Sequence, residues 1–373
     1  KASGALIAWV NVPNINSTAN ADIYLYFGNS TKSSLQNATG VWDANYKGVW
    51  HFSDSLADST SNHNDGSVVG SPSQATGRIA RGRSFTNGGN AAINVGSGGS
   101  LASLSAYTLE AWIKPASAGE VCGRIMQKGD TGSTYAPKNL FLVNYLTGQV
   151  DFEQMLGNDG TTWTQDNDDQ WNTDGTTTPF GTWSHIVAVH DEATNTHQLY
   201  VNGSLSGSRT SDGNASGVDP DGSYPLYIGN RPTLDRDFDG IIDEVRVSST
   251  GRSAQWIATE YNNQKPSSTF YAVGAENTTF LYRKPITIDH TKLGSSCTGD
   301  VPNFPVLVSI QNDTDLKTTA NGGHVYDTVH NPPYDVYFRA DDYTKLDHEI
   351  EKYDGTTGTL TAWVRIPTLS YTQ

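Results

Sequence analysis

Cysteine occurs only twice in the 373 residues, at Cys122 and Cys297, which excludes a disulfide scaffold and leaves packing to hold the chain together. Methionine also occurs twice, and helix formers are sparse beside Gly, Ser, Thr, Asn and Asp, which favours short strands joined by polar turns. No apolar run reaches the roughly 18 residues a membrane helix needs, so no membrane insertion is expected in this segment. The opening KASGALIAWV lacks the apolar stretch and cleavage pattern of a secretory signal, and reads as the start of a mature or excised piece. Basic residues are outnumbered, 24 Lys and Arg against 39 Asp and Glu. The resulting charge of −15 argues against nucleic acid and anionic membrane as partners, and suits cations, neutral sugars or further copies of the chain. Ser-His-Asp arrangements, metal-protease motifs, phosphate loops and zinc spacings are all missing.

What is present is period-two alternation. ADIYLYFG (21–28), YTLEAWIKP (107–115), SHIVAVHD (184–191), HQLYVNG (197–203), YPLYIGN (224–230) and TLTAWVRIP (359–367) each alternate and end at turn formers or Pro. HQLYVNGSL predicts a hairpin turning at Asn202-Gly203. One short helix is expected in RSAQWIATEYNNQ (252–264), capped by Ser253, with KPSS (265–268) as a boundary. Segment 156–182 is polar and Gly-rich, a long loop or a ragged hairpin.

GALIAWVNVPNIN (4–16) aligns without a gap with GTLTAWVRIPTLS (358–370), sharing Gly, Leu, Ala-Trp-Val and Pro. The two copies stand at opposite ends, as in a tandem repeat cut out of phase.

The pieces GVWHFSDSLADSTSNHNDGSVVG (48–70), YTLEAWIKP, GTWSHIVAVHD (181–191), HQLYVNGSLSG (197–207), YIGNRP (227–232) and FDGIIDEVRVSSTGRSAQWIATEYNN (238–263) resemble, in order and spacing, the concanavalin-A-like jelly roll of laminin-G-like modules. The flanks resemble a second family, an accessory domain of unknown function. Its first half is similar to YRKPITIDHTKL through LDHEIEKYDGTTGTLTAWVRIPTLS (282–370), its second to residues 4–52, so the halves stand in reversed order. The fold class implied is all-β, a jelly-roll sandwich plus a second β-sandwich split between the chain ends. The expected domains are 1–48 and 280–373, the two accessory halves, and 49–275, the jelly roll.

DRDFDGIIDEVRV (235–247) has two readings. Asp235, Asp237 and Asp239 before Gly240 suggest a calcium loop, yet the twelfth position is Arg246 instead of a bidentate acid, and flanking helices are missing. The resemblance makes it a late core strand begun by Asp239-Gly240. It also implies a structural calcium ion held by Asp243, with Asp54 and Asp58 as candidates opposite; otherwise Asp243 pairs with Arg246 or caps a turn. Hydrolysis is not expected, because the paired carboxylates of jelly-roll glucanases do not occur, and Glu110 and Glu153 read as single solvated acids. Asp347, Glu349 and Glu351 share a strand face, suited to a metal or to simple exposure. Trp163, Trp171 and Asp168 in the long loop are the candidates for sugar contact. Sequons at Asn16, Asn29, Asn37, Asn214, Asn277 and Asn312 are candidate glycosylation sites, and the one at Asn202 is disfavoured by its turn.

These features predict an extracellular or cell-surface structural subunit of a fibre, stalk or adhesin, and no enzyme. Leu6, Trp9 and Val10, with Ile23, Tyr24 and Tyr26, lie on strands expected to complete the sandwich of a neighbouring copy, head to tail. The alternative is a lectin-like carbohydrate-binding module.

Overall fold

Alternating strands must satisfy their backbone groups on neighbouring strands, and the computed structural model is accordingly built of sheets. The structure describes residues 5–11, 14–15, 21–27, 33–117, 119–120, 123–129, 138–144, 149–155, 168–191, 193–194, 196–210, 221–265, 269–274, 282–289, 292, 301–340 and 344–369. The chain begins with β1 (Ala5–Asn11), β2 (Asn14–Ile15), β3 (Ala21–Tyr26) and the short helix α1 (Ala38–Val41). There follow β4 (Tyr46–Trp50), β5 (Ser67–Val69), β6 (Ser73–Thr76), β7 (Arg81–Phe85), β8 (Ala92–Gly96), β9 (Ala106–Pro115) and β10 (Gly123–Gly129). Next come β11 (Lys138–Asn144), β12 (Gln149–Met155), β13 (Asp168–Thr177), β14 (Ser184–Asp191), β15 (Thr196–Val201), β16 (Ser204–Thr210), β17 (Leu226–Ile228) and β18 (Gly240–Ser248). Helix α2 (Ala254–Gln264) precedes β19 (Tyr271–Val273), β20 (Arg283–Ile288), β21 (Val301–Ile310), β22 (Tyr337–Ala340), β23 (His348–Asp354) and β24 (Thr359–Leu369).

Two units result, 44–257 and 1–43 with 258–373. The boundaries expected at 48/49 and near 275–280 move to 43/44 and into α2. Residues 258–264 go with the accessory unit because Asn263 is tied to β21, its side chain donating to Pro305 O at 3.1 Å and accepting from Leu307 N at 2.9 Å. The start of α2 is capped as expected, with Trp256 N donating to Ser253 Oγ at 3.2 Å.

Unit 44–257 is a two-sheet sandwich. One sheet runs β13-β12-β11-β10-β17-β8-β5, the other β16-β15-β14-β9-β18-β7-β6, with β4 also on β18. Inward residues Trp50, Phe85, Ile93, Leu109, Ile113, Ile125, Ile186, Leu226, Ile242 and Val245 form its core. Asn202 and Gly203 turn the β15–β16 hairpin with φ of 51° and 78°, as the Asn-Gly pair requires. Of the two readings of segment 156–182, the hairpin is the one that agrees with β13, which pairs antiparallel along β12 from Gln149↔Thr177 to Met155↔Asp168 with one register shift. Entry and exit strands are neighbours: β4 pairs with β18 up to Ser248↔Tyr46, and Ser249 N donates to Asn45 O at 2.7 Å. A module whose two ends emerge side by side can sit inside another domain.

The accessory unit is a β-sandwich closed within one chain. Strand β3 lies between β20 and β22, in the sheet β19-β20-β3-β22. Its inward residues Ile23 and Leu25 join Ile286, Ile288 and Phe338, all at most 1% exposed. Lys284, inward on β20, is held by Asp313 at 2.8 Å and Asp315 at 2.6 Å; burial pulls its pKa down, but the two carboxylates outweigh it and hold it above the usual lysine range. The second sheet centres on β24, antiparallel to β21 from Val301↔Leu369 to Ile310↔Leu360 and to β23. The alternation in TLTAWVRIP suggested one wet face, but Thr359 through Val364 are all buried.

The expectation that Ile23, Tyr24 and Tyr26 need a neighbour's sheet is therefore corrected: both edges of β3 are paired with strands of its own chain. Leu6, Trp9 and Val10 also pair within the chain, and their strand is a duplicate. Trp9 and Trp363 both lie opposite Glu349, Val10 and Val364 opposite His348, Asn11 and Arg365 opposite Pro305, Ile15 and Leu369 opposite Val301. Between themselves β1 and β24 are parallel at the alignment of the repeated sequence, Ala5↔Thr359 to Val10↔Val364. Both strands border β21 and β23 in the structure, in a closed barrel that also pairs β1 with β24.

Deleting residues 1–12 is expected to leave the accessory unit folded, because β24 keeps its own pairing with β21 and β23. Deleting 1–28 removes β3 from the middle of its sheet and is expected to expose 280–373 to limited proteolysis. Equal protease resistance of the two truncations would contradict this assignment.

Candidate functional site

Three strand ends and a loop converge at one rim of the jelly roll. The end of β7 brings Ser84 and Phe85, followed by Thr86. The end of β9 brings Lys114 and Pro115, followed by Ala116, and the start of β18 brings Asp239, Gly240 and Ile241. Together with Gly181 they line a cleft of about 340 Å³. Gly240 has φ 141°, and a Cβ there would meet Lys114 O at 2.3 Å, so only glycine allows β18 to approach β9 this closely. Gly181 N donates to Pro115 O at 2.7 Å, which ties down the loop beside it. Its neighbour Phe180 leaves 49% of its surface exposed. The Asp239 carboxylate accepts from Asn87 N at 3.4 Å and from the Ser117 hydroxyl, while Lys114 has no ion-pair partner among the described residues. One cation, one carboxylate and two hydroxyl-bearing residues thus line the cleft, and Phe180 adjoins it in the chain through Gly181. Nothing in the periodicity pointed to this cleft. The one sequence cue was Asp239-Gly240 at the head of a strand.

The acids of DRDFDG have separate protein partners. Arg231, hydrogen-bonded to Asp235 at 2.6 Å, holds that carboxyl well below the usual carboxylate range. Asp237, fully buried, accepts from Asn90 N at 3.1 Å and Ala91 N at 3.2 Å, and β18 begins at Gly240 as the strand reading requires. The structure places the calcium candidates as follows. Asp243 accepts from Ile79 N and Glu244 N, both at 2.9 Å, which is the turn-capping role. Asp58 accepts from Val49 N at 3.0 Å and from Thr60 N, Thr60 Oγ1 and Asn64 N at 2.9 Å. Asp54 is exposed, 3.9 Å from Arg81. Among the described residues no group of three ligand atoms includes any of these acids. Two of the three organise loops by accepting backbone N–H groups.

The expected sugar contacts fall elsewhere. Trp163 lies outside the described residues. Trp171 and Asp168 sit on β13, opposite Phe152 and Met155. Cys122 and Cys297 lie outside the described residues, as do the sequons at Asn16, Asn29, Asn214 and Asn277. Asn37 and Asn312 are exposed, and Asn37 donates to Asp347 Oδ1 at 2.9 Å. Asn202 accepts from His185 N at 3.0 Å, so its amide serves the hairpin. Of the acids grouped on 347–351, Glu351 accepts from Trp363 Nε1 at 3.3 Å.

Glu110 is corrected most sharply. Instead of being solvated it is 3% exposed and belongs to a buried ionic chain. His185 Nε2 lies 2.8 Å from Glu110 Oε1, which accepts from Arg246 at 2.6 Å; Arg246 also donates to Glu244 at 2.7 Å, and His51 Nδ1 lies 3.0 Å from Glu244. Glu244 reaches this network by adopting φ 51° at a register shift between β18 and β9. Both carboxylates are occupied and buried, out of reach of a glycosidic bond. In the same sheet His190 Nδ1 lies 3.1 Å from His197 Nδ1, and burial, then the neighbouring His197, push His190 down to about 3.

Arg246→Met strands two buried carboxylates and is expected to cost about 3–5 kcal/mol in chemical denaturation. His190 stays neutral when folded, whereas the unfolded chain takes up a proton near pH 6.5. Its contribution is therefore complete above that pH and is lost on acidification toward 3, by up to ~1.4 kcal/mol per pH unit. Denaturation midpoints at pH 7 and pH 5 should converge in His190→Gln relative to the parent.

Residues 87–258 match the family model of the concanavalin A-like lectin/glucanases superfamily, and residues 1–64 that of a Domain of unknown function (DUF2341). No curated protein matches the chain. Among solved structures, domain 4 of AbnA, an extracellular arabinanase from Geobacillus stearothermophilus, in complex with arabinotriose, is 20% identical with a TM-score of 0.40, over 58% of this chain and 98% of that one. The binding domain of Paraclostridial Mosquitocidal Protein 1 is 12% identical with a TM-score of 0.45, over 82% and 75%. The botulinum neurotoxin type G receptor binding domain is 12% identical with a TM-score of 0.43, over 59% of this chain and 52% of its own length. By these matches residues 87–258 are similar to the concanavalin A-like superfamily and residues 1–64 to the domain of unknown function, in a chain built of β-sheets.

Proposed function

We propose that the jelly roll is a lectin-like carbohydrate-binding module of an extracellular or cell-surface protein, with the sugar docked in the cleft beside Phe180. The observation that carries this reading is the gathering of Lys114, Asp239, Ser84 and Thr86 around one cleft, with the half-exposed Phe180 next in the chain to the lining residue Gly181. An aromatic surface takes the C–H face of a sugar while a few placed polar groups select its hydroxyls. The cleft holds a single carboxylate, Asp239, whereas glycoside hydrolysis ordinarily uses two flanking the bond, so the module binds without cleaving.

A second reading is the structural subunit of a fibre or stalk. Its support is the duplicated strand: β1 carries the same Leu, Ala-Trp-Val pattern as β24 and pairs with β21 and β23 in the same register, so either copy suits those strands in another molecule. The exchange replaces like with like, so concentration alone drives it.

Phe180→Ala is expected to abolish binding on a glycan array while changing stability by less than about 0.5 kcal/mol, because the ring is half exposed. Loss of binding in Trp171→Ala with retention in Phe180→Ala would move the sugar to the β12–β13 hairpin. For assembly, light scattering should show oligomers growing with protein concentration and disappearing when residues 1–12 are removed.

A further inference from the structure

The outward face of the sheet β19-β20-β3-β22 differs in chemistry from the rest of this acidic chain. Alternation sends Ile23, Leu25, Ile286, Ile288 and Phe338 inward, so Tyr24, Tyr26, Arg283, Tyr337 and Arg339 share the opposite face. Register sets them in two rows: Tyr26 between Arg283 and Tyr337, and Tyr24 between Pro285 and Arg339. The Tyr26 and Tyr337 rings stack at 5.1 Å with 13° between their planes. The Arg339 guanidinium lies 5.5 Å from the Tyr26 ring and 5.6 Å from Tyr337, and that of Arg283 lies 4.8 Å from Tyr24. Lys345, exposed, stands opposite Arg339 in an isolated bridge.

Two features point to a ligand. Arg339 has no carboxylate partner among the described residues, and its Nε is buried without a hydrogen bond. The Tyr26 hydroxyl, on a residue 8% exposed, also lacks a partner. A polar atom shut off from water without a partner is unfavourable, and a bound acceptor would relieve it. The acid on the outward side of β3, Asp22, already accepts from the Thr287 hydroxyl.

We propose that this face binds an acidic sugar chain, carboxylated or sulfated. Guanidinium forks match the two oxygens of a carboxylate or sulfate, and the tyrosine rings supply apolar surface for the sugar ring. A net charge of −15 repels polyanions at long range, so recognition depends on the local Arg–Tyr array and not on bulk attraction. The site is independent of the Phe180 cleft, being built from the accessory unit alone.

The test is calorimetric titration of the full chain with oligogalacturonate, a neutral malto-oligosaccharide and single-stranded oligothymidylate. Oligogalacturonate is expected to bind, and Arg339→Gln with Arg283→Gln to weaken it at least tenfold. Arg339→Lys, which keeps the charge but loses the fork, should fall between. Phe180→Ala should leave this binding unchanged whether or not it abolishes binding at the cleft. Melting curves establish that each variant is folded, and Tyr337→Ala supplies a charge-neutral second probe if the arginine variants unfold. The proposal is overturned if oligogalacturonate does not bind, if neutral sugar or oligothymidylate binds as tightly, or if folded variants bind like the parent.

Discussion

The position of β3 between β20 and β22 is the constraint on which the rest turns. One strand comes from the front of the chain and its two partners from the rear, so the accessory sandwich cannot close until both arms return to one place. The jelly roll makes that possible by starting and finishing on adjacent strands, β4 and β18, with Ser249 bonded back to Asn45. An inserted domain with widely separated ends would hold the two halves apart and leave Ile23 and Leu25 without a core.

The duplicated strand adds a different constraint. Strands β21 and β23 each pair with both β1 and β24, two segments of matching pattern. Polar burial in the jelly roll works in the opposite sense. The chain from His51 through Glu244, Arg246 and Glu110 to His185 tolerates no substitute partner, because each charge is neutralised by a neighbour in the same buried row.

The two proposed surfaces differ in what fixes them. The cleft at the jelly-roll rim is a matter of backbone: Gly240 lets β18 close on β9, and Gly181 anchors the loop beside it. The accessory face is a matter of register, since shifting β3 by one residue would turn Tyr24 and Tyr26 into the core and expose Ile23 and Leu25.

Local chemistry was legible from the residues alone. Asn202-Gly203 specified its hairpin by needing φ above zero, Ser253 specified the start of α2 by capping it, and Gly240 with Arg246 distinguished a strand from a calcium loop. The repeat of Gly, Leu, Ala-Trp-Val and Pro anticipated the register at which β1 and β24 lie. Tertiary structure alone decided which molecule completes the sandwich, that Glu110 is buried against Arg246, and that Asp58 and Asp243 serve backbone N–H groups. The physical reason is that periodicity records which face of a strand is apolar, while pairing partners and the counter-charges of buried acids are set by residues far along the chain.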